Sequence, residues 1–171
     1  GVSLLLSSCL LPPPLQGEKY SDNHPPRVVI DSLVPHPTTG PLKLSANCPP
    51  HQFHAIVTDP DQGDAIYWRV FIDYHRDDEP LQTEVRTLEF DPAQLEQRQS
   101  LNFDIDPRDE RFDKGGGVNA THTVELLISD RPFNNQGVFP VGRSVDAEEG
   151  FLDSFVWAVT LEESNDDCPE E

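Results

Sequence analysis

A chain of 171 residues is the size of one domain with tails, and its charge is lopsided, with 31 acidic against 12 basic residues and a net charge of −19. That balance excludes a nucleic-acid backbone as partner, and it excludes an anionic lipid surface except through a covalent anchor. A hydrophobic fraction of 36% is enough to bury a core, and no apolar run approaches the ~18 residues that span a bilayer.

In chain order, residues 1–9 come first. Gly1 to Cys9 reads as an apolar stretch followed by small residues, the tail of a secretion signal. Leu6-Ser7-Ser8-Cys9 resembles a bacterial lipobox, and the resemblance implies that Cys9 carries lipid and anchors the chain to a membrane. Lipoproteins of that kind lose the peptide before the cysteine, whereas residues 1–8 are present here; an ordinary signal peptide or a buried apolar tail is the alternative. Residues 10–26 follow as a linker with five prolines, a stiff and extended tether rising about 3.1 Å per residue.

Residues 27–168 alternate with period two in about seven short segments, separated by turn-forming residues. The expected strands are Val28–Val34, Phe53–Thr58, Ile66–Tyr74, Thr83–Phe90, Leu101–Ile105, Thr123–Ile128 and Phe155–Leu161. The clearest is Ile66–Tyr74, with Ile66, Trp68, Val70, Ile72 and Tyr74 on one face and Arg69 and Asp73 on the other. A helical turn or two is expected only near Pro92 to Gln99, and 169–171 form an acidic tail. The pattern predicts an all-β protein, an antiparallel β-sandwich. With Trp68 on the third strand it resembles bacterial immunoglobulin-like, cadherin-like and fibronectin-like domains. That resemblance is one of architecture and imports no biochemistry.

Strand parity makes a prediction about the cysteines. If successive strands alternate in direction, the second begins at the end of the domain where the seventh finishes. Cys48 precedes the one and Cys168 follows the other, so a Cys48–Cys168 disulfide is expected. It would close a loop of more than a hundred residues, worth about 4 kcal/mol in the entropic model. An oxidising compartment permits it.

Two features suggest function. The first is Thr58-Asp59-Pro60-Asp61-Gln62-Gly63-Asp64, which resembles the Asp-rich loops of cadherin-like domains; the resemblance implies calcium ligation. Parity brings Asp130 to the same end, so Asp59, Asp61, Asp64 and Asp130 are candidate ligands, a hard-oxygen set suited to Ca²⁺. The same residues also form ordinary turns by side-chain to backbone hydrogen bonding. The second is the connection from Arg131 to Asp153, longer than compact domains usually carry and containing Phe133, Phe139 and Phe151. These rings either fold back over the sandwich or meet a partner. No nucleophile elbow, phosphate loop or His-Glu metal motif is present in the sequence, and no catalytic residue is assigned. The expectation is a non-catalytic, lipid-anchored binding or assembly module with a protein partner in the bacterial envelope. A calcium-dependent adhesion or carbohydrate-binding module is the alternative.

Overall fold

The computed structural model describes residues 23–37, 40–61, 65–74, 81–87, 89–91, 96–134, 142–145, 150–163 and 168. Cys9, most of the tether, Asp64 and Phe139 lie outside the described residues. The strands are β1 (Arg27–Val34), β2 (Leu42–Ser45), β3 (His51–Asp59), β4 (Ala65–Ile72), β5 (Gln82–Thr87), β6 (Glu89–Asp91), β7 (Glu96–Ile105), β8 (Thr121–Ser129) and β9 (Leu152–Glu162), with one helical turn, α1 (Glu110–Lys114), between β7 and β8. They form an all-β sandwich of two sheets, ordered β1-β3-β7-β6 and β2-β9-β8-β4-β5.

Alternation sets the core. In β3 the inward residues are Phe53, Ala55 and Val57; in β4 they are Ile66, Trp68, Val70 and Ile72; in β8 they are Val124, Leu126 and Ile128. Between the sheets sits a block of aromatic rings. Phe53 and Phe103 from one sheet stack at 5.5 Å, and Trp157 from the other meets them edge-on at 5.2 and 6.0 Å. Trp68 lies 6.0 Å from Phe103. Offset and edge-to-face pairs of this kind add to the gain from burial alone. The indole N–H of Trp157 donates to the carbonyl oxygen of Pro35 at 2.9 Å, so the block also fixes the segment that links β1 to β2.

The described strands number more than the seven expected, for two local reasons. β2 is an added strand: β1 pairs antiparallel with β3, then the proline-rich stretch carries the chain across to the other sheet, where β2 pairs with β9. The β2–β9 pairing is parallel, so the sandwich is not wholly antiparallel. The stretch expected as one strand from Thr83 to Phe90 changes sheets, leaving β4's neighbour at Thr87 and joining β7's at Glu89. The helix expected near Pro92 is replaced over Glu96–Gln99 by β7, which pairs along its length with β3. The helical turn lies instead at Glu110–Lys114, where Asp109 caps it by accepting from the Arg111 amide and Phe112 is buried beneath. Tyr74 also differs from expectation: Asp73 has a positive φ of 43°, and Tyr74 joins the cluster on the outer face.

Cys48 and Cys168 are bonded, with Cα atoms 5.4 Å apart and a sequence separation of 120. The bond ties the entry of β3 to the chain beyond β9. Replacing both cysteines with serine is expected to lower unfolding free energy by about 2–5 kcal/mol. The urea midpoint is the measurement, and wild type under reductant should match the double variant.

Candidate binding surface

Of the expected calcium residues, Asp59, Asp61 and Asp130 lie at one pole of the sandwich, where β3 ends and β8 exits. Asp59 is fully buried and its Oδ1 accepts from the Asp61 amide at 2.8 Å, an Asx turn. Gln97 donates to the Asp61 carbonyl oxygen at 2.7 Å. The Asp61 carboxylate takes the His24 backbone amide and stands 2.8 Å from the His24 ring nitrogen Nδ1. Asp130 accepts from Asn23 at 2.7 Å and from the Phe151 amide at 2.8 Å. Asp153 accepts from the Val28 amide at 2.9 Å. Each carboxylate therefore holds a chain reversal or the segment entering β1. Among the described residues no group of three or more His, Cys, Asp or Glu side chains is arranged to hold a metal ion. Burial pushes the Asp61 carboxyl up, but the two His24 hydrogen bonds and the charges of His24 and Arg131 pull it down further, so it ends below its ordinary value.

The outer face of the five-stranded sheet is half roofed. Phe71 from β4, Leu127 from β8 and Phe133 from the long connection form a second buried cluster, with Tyr67, Tyr74 and Val145 packed against it. Phe133 pairs with Val145 across an isolated bridge, and Asn134 donates to Ser144 at 2.7 Å. Arg69, buried, places its guanidinium 4.6 Å over the Phe133 ring and donates to the Gly142 carbonyl oxygen at 2.9 Å. Burial lowers the pKa of that guanidinium. Gly142 has φ of +75°, and a Cβ there would stand 2.8 Å from Arg69 Nη1, so glycine suits both the backbone and the contact. Arg143 forms a bidentate ion pair with Glu125 and lies 4.6 Å over the Tyr74 ring. Phe133 thus follows the fold-back alternative, while Phe151 remains exposed.

A histidine–aspartate pair lies beyond the roof. His122, wholly buried, sets Nδ1 2.5 Å from Asp73 Oδ2 and Nε2 2.8 Å from the Gly117 carbonyl oxygen. Both partners are hydrogen-bond acceptors. With each nitrogen engaged and the Phe112 ring packed edge-on at 5.0 Å, His122 fastens the turn after α1 to the end of β4. A Cβ on Gly115 would fall 2.0 Å from Asp73 Oδ2, which explains the glycine there. The sequence carried a signal for this residue: His122 shares the inward register of Val124, Leu126 and Ile128. Nothing local signalled Arg143, whose partner comes from a different part of the chain.

The roof stops short of β9. Its outward row, Leu152, Ser154, Val156 and Ala158, is exposed. Between roof and strand lies an open cleft of about 510 Å³ lined by Asp73, Tyr74, Gly115, Thr123, Glu125, Arg143 and Val156. On the other side of β9 a second cleft, of about 340 Å³, is lined by Pro37, Gly40, Pro41, Leu42, Val156, Trp157 and Ala158.

Truncating Phe133→Ala is expected to cost about 3–5 kcal/mol of folding stability, read from denaturant midpoints, because it empties the roof cluster. An unchanged midpoint would mean the roof is not part of the folded unit. The Asp61 contribution has a defined sign. Its folded pKa is depressed, so the stabilisation is complete above the unfolded value near 3.8 and is lost as pH falls through the folded value. The stability difference between wild type and Asp61→Asn should shrink as acid protonates the carboxyl. It should stay below about 1 kcal/mol, since the contact is near the surface.

Comparison with protein-family models, with curated proteins and with solved structures finds no match to this chain, so the argument for function rests on its own surface.

Proposed function

We propose that the chain is a non-catalytic, immunoglobulin-like binding or assembly module of a bacterial cell envelope, held there by lipid on Cys9 and serving as an accessory subunit of a larger complex. The immunoglobulin-like reading is supported by strand order. The sheets β1-β3-β7-β6 and β2-β9-β8-β4-β5 correspond to A-B-E-D and A′-G-F-C-C′ in the usual lettering, with the buried Trp68 on strand C. Two departures accompany it. β3 and β8 carry no cysteine pair, the disulfide lying instead at Cys48 and Cys168, and β8 has no tyrosine to make the usual corner. The envelope reading is supported by Leu6-Ser7-Ser8-Cys9, by the five prolines after it and by the disulfide.

The observation that carries the binding role is the uncovered row on β9. One half of the outer face is roofed by the chain itself, while Leu152 and Val156 stay exposed next to Phe151. Exposed apolar side chains along one strand favour a partner over plain solvation.

The test is purification of the full chain from native membranes after mild cross-linking, followed by mass spectrometry. The expected result is a diacylated Cys9 peptide and an envelope protein recovered in near-equal amount. An intact, unmodified peptide spanning Ser8 and Cys9 would overturn the anchor. Recovery of the chain alone would overturn the binding role.

A further inference from the structure

Sheet edges are guarded by charge, by capping or by brevity, because unpaired amides and carbonyls there accept a further strand. β6 is three residues long, β5 carries Glu84 and Arg86 in its sequence, and on β1 the Val28 amide is capped by the Asp153 carboxylate at 2.9 Å. β9 is different, since β2 pairs with it only over Val159–Glu162. Backbone groups along a strand point alternately to its two sides, and three hydrogen bonds fix which side each residue of β9 takes. The Glu162 carbonyl accepts from the Ala46 amide at 3.0 Å, on the β2 side, and the Leu161 carbonyl accepts from the Asn119 amide at 2.8 Å, on the β8 side. The Thr123 carbonyl accepts from the Asp73 amide on the β4 side, so Val124 faces β9 and its partner Trp157 faces back. The amides and carbonyls of Leu152, Ser154 and Val156 therefore point to the edge ahead of β2, where no strand lies beside them among the described residues. The cleft of about 340 Å³ lies there, lined by Val156 and Ala158 on one side and by Pro37, Pro41 and Leu42 on the other. The one charged residue of Leu152–Ala158 is Asp153, and the Val28 amide engages it.

We propose that an extended segment of another protein adds as a strand to the edge of β9 at Leu152–Val156, in line with β2, with an aliphatic side chain in the Pro37–Pro41–Leu42 cleft. The proposal rests on the binding-module reading and supplies its mode of contact. The backbone decides the occupant. A row of unpaired amides and carbonyls at strand spacing is matched by the main chain of another strand, which then gains affinity from hydrogen bonds and specificity from alternate side chains. The partner's segment has no proline where its amide meets the edge and an apolar side chain where it meets the cleft. A second copy fits less well. Two β9 edges paired antiparallel about Phe155 would set Phe151 of one copy opposite Val159 of the other, in the place that β2 fills. The chain's own residues 10–22 lead to Cys9 as the tether on the same reading.

The test reads amide hydrogen exchange by NMR on the purified full chain. In the free monomer the amides of Ser154 and Val156 should exchange at least about a hundredfold faster than those of Phe155 and Trp157, which face β8. Slow exchange at Ser154 and Val156 in the monomer would mean that the chain closes its own edge. Slow exchange only at concentrations where sedimentation shows a dimer would assign the edge to a second copy, and either result overturns the proposal. The probe is a ten-residue peptide of alternating Thr and Val, capped at both ends. At saturation it should slow both amides about tenfold, while the same peptide N-methylated at its four central residues should leave them unchanged. No slowing by the Thr–Val peptide, or equal slowing by both, would overturn strand addition. Ser154→Pro removes an amide that faces the edge and not β8, so it keeps the β8–β9 ladder. It should bind the peptide at least about tenfold more weakly, and Ser154→Thr about as tightly as wild type. If Ser154→Pro lowers the melting temperature, the exchange and N-methyl comparisons on wild type carry the test. Co-purification from native membranes separates this edge from the binding role. Undiminished recovery of a partner by folded Ser154→Pro sinks the edge and leaves the binding role standing, whereas no partner with wild type sinks both.

Discussion

The packing of Phe53, Phe103 and Trp157 between the sheets is the contact on which the remaining geometry depends. It fixes which parity of each strand faces inward, and so determines what every opposite parity must do. On β9, placing Trp157 in the core leaves Val156 and Ala158 outside. On β4, placing Trp68 inside sends Arg69 and Phe71 outward, where a charged and an aromatic side chain need cover. The indole N–H reaching Pro35 adds the crossover from β1 to β2 to the same assembly.

The cover over β4 and β8 follows from that outward row. Glu125 and Arg69 are buried charges, and each meets an opposite charge, a carbonyl or a ring supplied by residues 133–145. The long connection is thus recruited by the polar groups beneath it as much as by the hydrophobic cluster. Where the sheet's outward residues are instead Thr121 and Thr123 on β8 and Ser154, Val156 and Ala158 on β9, no buried charge demands a partner from the chain. The boundary between roofed and open surface runs along this change in side-chain chemistry.

How much of this was legible in the sequence depended on the local pattern. β3, β4 and β8 carry a period-two pattern, and strand parity alone brings Cys48 and Cys168 to one end of the domain. β2 was missed because Leu42-Lys43-Leu44-Ser45 is too short to show a period. The first half of β7, Glu96 to Ser100, is polar throughout and takes its strand form from pairing with β3. The change of sheet after Thr87 left no trace, since strand residues continue on both sides of it. α1 is only five residues long, too short to show a helical period, and its Asp109 cap sits in an acidic run. At the candidate surface, β9 is apolar on both parities over Phe155–Val159, so pattern alone did not say which side chains remain outside. The acids at Asp59, Asp61 and Asp130 were correctly grouped by topology, but their hydrogen-bond partners, Asn23, His24 and Phe151, are distant in sequence and carry no local signal.

The entry of the chain into β1 has a mechanical consequence. Asn23 and His24 are held at the pole where β3 ends, while the disulfide closes the opposite pole. A pull on the chain ahead of Asn23 is met first by the Asp61 and Asp130 contacts and then by β1, whose hydrogen bonds to the antiparallel β3 lie across the direction of the load. Bonds so arranged are sheared together and do not open one after another. At the far pole the covalent link between Cys48 and Cys168 keeps the last strand from peeling away from the entry of β3. Tension drawn along β1 is therefore shared by the whole β1–β3 ladder at once.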